Sequence, residues 1–358
     1  MSSTSEASAI NPEKLEAFLG KVVTDFGAAL SSQLVYIGQK LGLYKALAAA
    51  GPSTPEELAA RTGTQERYVR EWLINQAAGG YVEYDAGAGR FHLSPEQAAA
   101  LADEESPAFV GGGFYLVKAM TNATPRIEGF FREGGGMLWG EHDPDLFVGT
   151  ERFFRPGYRA HLVDAWIPAL TGVEEKLKAG ATVADVGCGH GASTVIMAKA
   201  YPNSRFHGFD NHGPSVEHAR RAAEEAGVAD RVTFEAAPAS EMPEGPYDLV
   251  CFFDCLHDMG DPVGAMRRAC EVLAEGGSAL VVEPMAGNRV EDNLNVVGRT
   301  FSAASTLCCT SNSLATGGPA LGAVATDDAL RDVALQGGFK EFRRAAETPF
   351  NRVFEARK

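Results

Sequence analysis

The amino-acid sequence predicts an α/β fold with a seven-stranded sheet in its C-terminal half, behind a mainly helical N-terminal domain. Three observations predict it. From Thr182 to Ala356, strand-like runs alternate with helix-like runs, the pattern of a parallel sheet covered by helices. A glycine-rich turn, Asp185-Val-Gly187-Cys-Gly189-His-Gly191-Ala192, joins the first strand to the first helix of that series. Upstream of residue 181, apolar residues recur mostly at helical spacing.

Residues 1–15 read as a loosely held tail. Between Leu15 and Ala50 the apolar positions Leu15, Phe18, Leu19, Val22, Val23 and Phe26, then Leu34, Ile37, Leu41 and Leu47, follow a helix period, which Gly51-Pro52 ends. Ser53-Thr-Pro-Glu56 reads as a capped helix start, and Thr64-Gln-Glu-Arg67 as another, stopped at Gly79-Gly80. Tyr81–Tyr84 and Arg90–Leu93 flank a glycine-rich turn and predict a hairpin. Helices followed by a hairpin form a winged-helix pattern, which suits DNA contact or a dimerising, substrate-shaping role. Residues 38–95 carry six basic and six acidic side chains. That balance favours the second role, because a DNA footprint is basic.

Residues 106–180 read as helical, glycine-interrupted and rich in aromatics, most of them for packing and a few for a pocket. The predicted strands are Thr182–Val186, Arg205–Phe209, Val232–Glu235, Asp248–Phe252, Ser278–Val282, Phe339–Ala345 and Arg352–Ala356. Helices are expected at Ser193–Ala200, Ser215–Ala226, Pro262–Leu273 and Asp327–Gln336. Ser305–Gly322, rich in small polar residues and glycine, reads as a mobile lid or a long surface loop. The expected domains are 1–105 (helical, winged-helix, dimerising), 106–165 (helical connector lining the pocket) and 166–358 (cofactor-binding).

Composition narrows the function. Of 358 residues, 45% are hydrophobic and 22% charged, as in an ordinary globular protein, and the net charge is −15. Such a surface repels phosphate backbones, so nucleic acid is an unfavoured partner. The six cysteines show no Cys-x-x-Cys pair and read as reduced, packed thiols, so no metal is assigned. No apolar run is long enough for a signal peptide or a membrane span, and a cytoplasmic location is expected.

The chemistry centres on the glycine turn. Its glycines permit a tight turn and close backbone approach to a ligand, and the helix that follows offers free N–H groups to an anionic group. Gly187-x-Gly189-x-x-Ala192, with Asp210 about twenty residues on, also fits a nicotinamide dinucleotide loop. Two features favour S-adenosyl-L-methionine instead. Gly191 adds a third glycine at spacing two, and Asp185 places a carboxylate where an ammonium and a sulfonium would be welcome.

With those residues in view, the stretch 181–290 resembles a class I S-adenosylmethionine-dependent methyltransferase, a Rossmann-like fold. The resemblance rests on Val183-Ala-Asp-Val-Gly-Cys-Gly-His-Gly191, on Phe206-His-Gly-Phe-Asp210, on Tyr247-Asp-Leu-Val-Cys-Phe-Phe-Asp-Cys-Leu-His257-Asp-Met-Gly-Asp261-Pro262, and on Ala279-Leu-Val-Val-Glu283-Pro284. The whole chain is similar to small-molecule O-methyltransferases with a dimerising N-terminal domain, and to a bacterial subgroup labelled methyltransferase or transcriptional regulator. The resemblance implies that Gly187, Gly189 and Gly191 border the methionine and ribose and that Asp210 binds the ribose hydroxyls. It places Asn211, Pro238 and Ala239 on the adenine side and Phe253 beside the cofactor. Pro238 stands where the family often has an adenine-binding carboxylate. His257 is the implied general base, oriented by Glu283, although a histidine here also serves as a helix cap or pocket wall in the family. The implied activity is methyl transfer to a small molecule, at a hydroxyl of an aromatic or natural-product-like compound, by a homodimer. The competing readings are a winged-helix regulator that uses the fold as a ligand sensor, and a nicotinamide-dependent oxidoreductase.

Overall fold

Side-chain caps start the N-terminal helices. In the computed structural model, which describes residues 10–358, Asn11 caps a long helix Pro12–Lys40 by accepting from the Lys14 amide at 3.0 Å. The expected tail at 1–15 therefore ends earlier than predicted, and its first nine residues lie outside the described part. The next cap is Thr54 rather than Ser53. Its hydroxyl accepts from the Glu57 amide while the Glu57 carboxylate accepts from the Thr54 amide, a complete capping box ahead of the helix Pro55–Thr62. The helix Glu66–Ala78 follows, then a short antiparallel hairpin of β1 (Glu83–Asp85) and β2 (Arg90–His92).

The described chain forms two compact units that meet in sequence at Lys118/Ala119. The helix Gly113–Glu133 runs across this boundary, and so the stretch 106–165 is divided between the units. The first unit has its own core around Val35, Leu43, Leu47, Leu58, Trp72 and Leu73, all 3% exposed or less. Burying each such aliphatic side chain stabilises by about 1.5–3 kcal/mol. The Trp72 indole N–H donates to the Leu34 carbonyl at 2.8 Å, so the ring enters the core without an orphaned donor.

The second unit is built on a seven-stranded sheet. Its strands are β3 (Thr182–Val186), β4 (Arg205–Asp210), β5 (Val232–Ala236), β6 (Tyr247–Phe253), β7 (Leu273–Pro284), β8 (Glu341–Glu347) and β9 (Asn351–Arg357), in the spatial order β5-β4-β3-β6-β7-β9-β8. The first five are parallel. β9 pairs antiparallel with both β7 and β8, so the sheet is mixed rather than wholly parallel. The physical reason is the short link from β8 to β9, Thr348–Phe350, which is too short for the crossover a parallel pair requires. β6 shows why the central strands read as continuous apolar runs. Leu249, Cys251 and Phe253 point into one core with Trp166, Met197 and Phe206, whereas Val250 and Phe252 point into the other with Met266 and Leu330.

Strand order reverses between β3 and β6, and in such sheets ligands bind outside the carboxyl ends of the strands at that point. The segment expected to be a lid or loop is instead largely helical. A helix Val296–Ala304, a π-helical turn Ser305–Cys309 and a helix Thr310–Ala315 run in succession. Its small polar residues are used for docking. Asn312 Nδ2 donates to the Asp258 carbonyl at 3.0 Å, Ser313 Oγ to the Met259 carbonyl at 2.9 Å, and the Gly322 amide to the His257 carbonyl at 3.1 Å.

Candidate active site

The glycine turn occupies the carboxyl end of β3. Gly187 has φ +71°, and a Cβ there would come within 2.7 Å of Cys255 Sγ, so glycine is required by both conformation and space. Gly189 has φ +52° and no atom within 4 Å of where a Cβ would stand. Its backbone therefore faces open space. The turn is held by Asp210 at the end of β4. One carboxylate oxygen of Asp210 accepts from the Gly189 amide and the other from the His212 amide, each at 2.8 Å. Each oxygen keeps a second lone pair for a ligand hydroxyl.

Asp185 is fully buried, one residue before β3 ends. Its Oδ2 accepts from Ser193 Oγ at 2.7 Å and from Thr194 Oγ1 at 2.6 Å, on the first turn of the helix Ala192–Ala200. Its Oδ1 has no protein partner. Burial pushes its carboxyl up to about 6, against the pull of those two hydroxyls. An orphaned acidic oxygen beneath a glycine turn is what a cationic amino-acid ligand would complete, because an unmade hydrogen bond here costs about 1–3 kcal/mol.

A cleft opens beside the turn. It is lined by Gly187, Cys188, Gly189, His190, Ala192, Ser193, Ser215 and Phe253, together with Trp139, Phe147, Thr150, Glu151, Phe154 and Tyr158. The structure thus brings Gly187, Gly189 and Phe253 to one cavity. Gly191 turns away, with Phe234 2.8 Å from where its Cβ would lie, and Asn211 is exposed on the surface. Pro238 and Ala239 sit after β5, where the Pro238 carbonyl accepts from Glu241 at 3.0 Å. They are not among the cleft's lining residues.

His257 and Glu283 are brought together. His257 lies on a short turn, Leu256–Asp258, after β6, and Glu283 is near the end of β7. His257 Nδ1 and Glu283 Oε2 are 2.7 Å apart, and the His257 amide donates to Glu283 Oε1 at 3.3 Å. The imidazole is 3% exposed and the carboxylate fully buried. Burial, the largest single influence, opposes charge on His257, but the Glu283 carboxylate and Cys309 together outweigh it and hold the imidazole well above its ordinary range. Neither residue lines the cleft directly. The turn that carries His257 is tied to the glycine turn by Cys255, whose thiol donates to the Val186 carbonyl at 3.2 Å.

Asp254, which the sequence marks only as a structural or cofactor-lining residue, takes its setting from the fold. It takes φ +52° at the end of β6 and accepts from Tyr158 Oη and from Asn351 Nδ2, each at 2.8 Å. Burial, then the neighbouring Glu283 carboxylate, pushes its carboxyl up to about 8. Both partners lie nearly a hundred residues away in sequence, so no local pattern could reveal them. Ser193 and Thr194 were nearer at hand, as paired hydroxyls eight and nine residues after Asp185.

Comparison with known proteins places this geometry. Residues 177–325 match a methyltransferase domain model, and residues 28–103 match an Rv2258c-like winged HTH domain model. The chain is 38% identical over 103 residues to 27-O-demethylrifamycin SV methyltransferase of Amycolatopsis mediterranei (strain S699), covering 28% of this chain and 38% of that protein. The chain spans 38% to 53% of the length of the first curated relatives it matches. Among solved structures, mitomycin 7-O-methyltransferase superposes with a TM-score of 0.72 at 19% identity, over 97% of this chain and all of that one. Human N-acetylserotonin methyltransferase in complex with SAM superposes with a TM-score of 0.68 at 18% identity, over 98% and 99%. At these identities the likeness to solved structures establishes the fold. Among the described residues, no helix is long and apolar enough to cross a membrane.

Proposed function

We propose, from the premise that residues 177–325 belong to the methyltransferase domain family and residues 28–103 to a winged helix-turn-helix family, that this chain transfers a methyl group from S-adenosyl-L-methionine to a small-molecule hydroxyl. The observation that carries the reading is the cleft where Gly187, Gly189 and Phe253 meet the rings of Phe147, Phe154 and Tyr158. An apolar, aromatic wall beside a glycine turn suits a flat organic acceptor.

The chain's residues divide the work. Gly187, Gly189 and the Asp185 carboxylate would hold the amino-acid end of the donor, Asp210 its ribose, and Asn211, Pro238 and Ala239 the adenine side. The donor supplies an electrophilic methyl group on a sulfonium. The protein holds the acceptor close and aligned, an effect worth about 7–11 kcal/mol. His257 takes the hydroxyl proton, with Glu283 fixing the tautomer and orientation of its ring, a contribution of about 10²–10⁴-fold. Incubation of the full chain with S-adenosylmethionine and a panel of phenols and other hydroxylated compounds should release S-adenosylhomocysteine. His257→Ala should lower turnover by about 10²–10⁴-fold while leaving donor affinity nearly intact. Undiminished turnover in that variant would remove His257 from the mechanism.

The winged-helix match supports a second reading, a ligand-sensing regulator. Against it, three of the region's four arginines already face carboxylates: Arg70 meets Glu56 at 2.8 Å, Arg90 meets Glu57 at 2.6 Å, and Arg67 pairs with Glu71. Few are left to track a phosphate backbone. A specific gel shift at physiological salt would favour the regulator. The partner proposed instead is a second copy of the chain, docked on the exposed apolar stripe Leu15, Phe18, Leu19, Val23, Phe26 and Leu30 of the first helix.

A further inference from the structure

Three side chains far apart in sequence converge beside the glycine turn. Glu151 comes from the helix Asp145–His161, His190 from between Gly189 and Gly191, and His218 from the helix Gly213–Glu225. Glu151 Oε2 lies 3.0 Å from His190 Nδ1 and 3.6 Å from His218 Nε2, and the three donor atoms fall within 4.8 Å of one another. The two imidazole rings are nearly parallel, with centroids 3.9 Å apart and 18° between their planes. A hydrogen bond explains Glu151 with His190. It does not explain His218, whose separation from Glu151 is longer than a hydrogen bond.

We propose that Glu151, His190 and His218 bind a divalent transition-metal ion of the zinc type. Zinc bonds of about 2.0–2.2 Å to imidazole and carboxylate, arranged tetrahedrally, set neighbouring donors roughly 3.3 Å apart. The two separations from Glu151 bracket that value, and because the stacked imidazole planes, 18° apart, direct their lone pairs side by side, one ring must turn for both to meet a single ion. Two imidazoles and one carboxylate suit zinc, whereas magnesium and calcium prefer oxygen throughout. Arg155 Nη1 engages the other carboxylate oxygen, Oε1, at 2.9 Å, while Arg221 and Glu225 act on His218 with opposite signs. Three protein ligands leave a fourth position open.

Glu151 and His190 also line the cleft, so an ion here would tie the glycine turn to two helices. Binding is measurable without turnover, which separates failure of this site from failure of methyl transfer. The chelator-stripped full chain should take up one equivalent of Zn²⁺ in a calorimetric titration, with a rise in Tm, and should not respond to Mg²⁺. His218→Ala and Glu151→Gln should each weaken zinc binding at least tenfold. His218 is half-exposed, and an unchanged metal-free Tm of His218→Ala would show that the variant folds. Cobalt in the same site should lack a thiolate charge-transfer absorption. Absence of saturable zinc binding, undiminished affinity in both variants, or a thiolate signature from the cysteines would overturn the assignment.

Discussion

Asp185, Asp254 and Asp258 are buried carboxyls whose proton affinity is raised, to about 6, 8 and 7 respectively, with burial the first cause in each. The sign of the consequence follows from linkage. Between about pH 4, where an unfolded aspartate ionises, and its raised value, the folded chain keeps a proton that the unfolded chain releases. Stability therefore falls as pH rises through that window, by about 1.4 kcal/mol per pH unit for each proton retained. Asp254→Asn should flatten the fall, most visibly from pH 7 to 8, because asparagine tolerates the left-handed conformation. Tm measured against pH would show it, and an unchanged slope would mean that Asp254 is ionised in the folded protein. The same reasoning applies to the dyad. With His257 held above its ordinary range by Glu283, the acid limb of kcat/KM should lie on the alkaline side of a free histidine. Glu283→Gln removes the strongest influence that raises the imidazole, so that limb should move to lower pH, and a pH–rate profile that does not move would remove Glu283 from the orienting role. Asp210 and Glu283 stand at strand ends that the apolar pattern already marks, whereas His257, on the turn after β6, is singled out by the family resemblance. The setting of Asp254 was not legible, because it depends on Tyr158 and Asn351, which only the folded chain brings near.

At the scale of elements, the antiparallel end of the sheet depends on a buried charge. Arg352 on β9 is fully buried and donates to the Pro284 carbonyl at 2.8 Å, to the Ala325 carbonyl at 2.9 Å and to Asp327 Oδ1 at 2.8 Å. It joins β7, β9 and the start of the helix Asp327–Gln336. Arg352→Ala should lower stability by roughly 3–5 kcal/mol, as breaking a buried pair does, and urea unfolding would measure it. A loss below about 1 kcal/mol would mean that the pair behaves like a surface bridge. The strands and the glycine turn were readable from the alternation of apolar strand-like runs with helical ones and from the glycine spacing. The helical character of 296–315 was not, because serine, threonine and glycine lower helix propensity and read as loop. What holds the segment is tertiary: its polar side chains dock on the carbonyls of Asp258 and Met259, partners that propensity cannot see.

At the scale of the whole molecule, the apolar stripe on the first helix predicts self-association. Leu19→Glu with Phe26→Glu should convert a dimer to a monomer in analytical ultracentrifugation without lowering the Tm of the monomeric unit, since both side chains are more than half exposed. A variant that remains dimeric would place the interface elsewhere. The expected domain bounds, 105/106 and 165/166, differ from the division of the described chain into compact units at residue 118, which falls inside the helix Gly113–Glu133. Methyl transfer from S-adenosylmethionine is tested most directly by titrating the full chain with S-adenosylhomocysteine in a calorimeter. The predicted result is saturable binding at one site per chain, weakened at least tenfold by Asp210→Ala, with no heat from NADPH. No binding of S-adenosylhomocysteine, or binding of NADPH in its place, would contradict it.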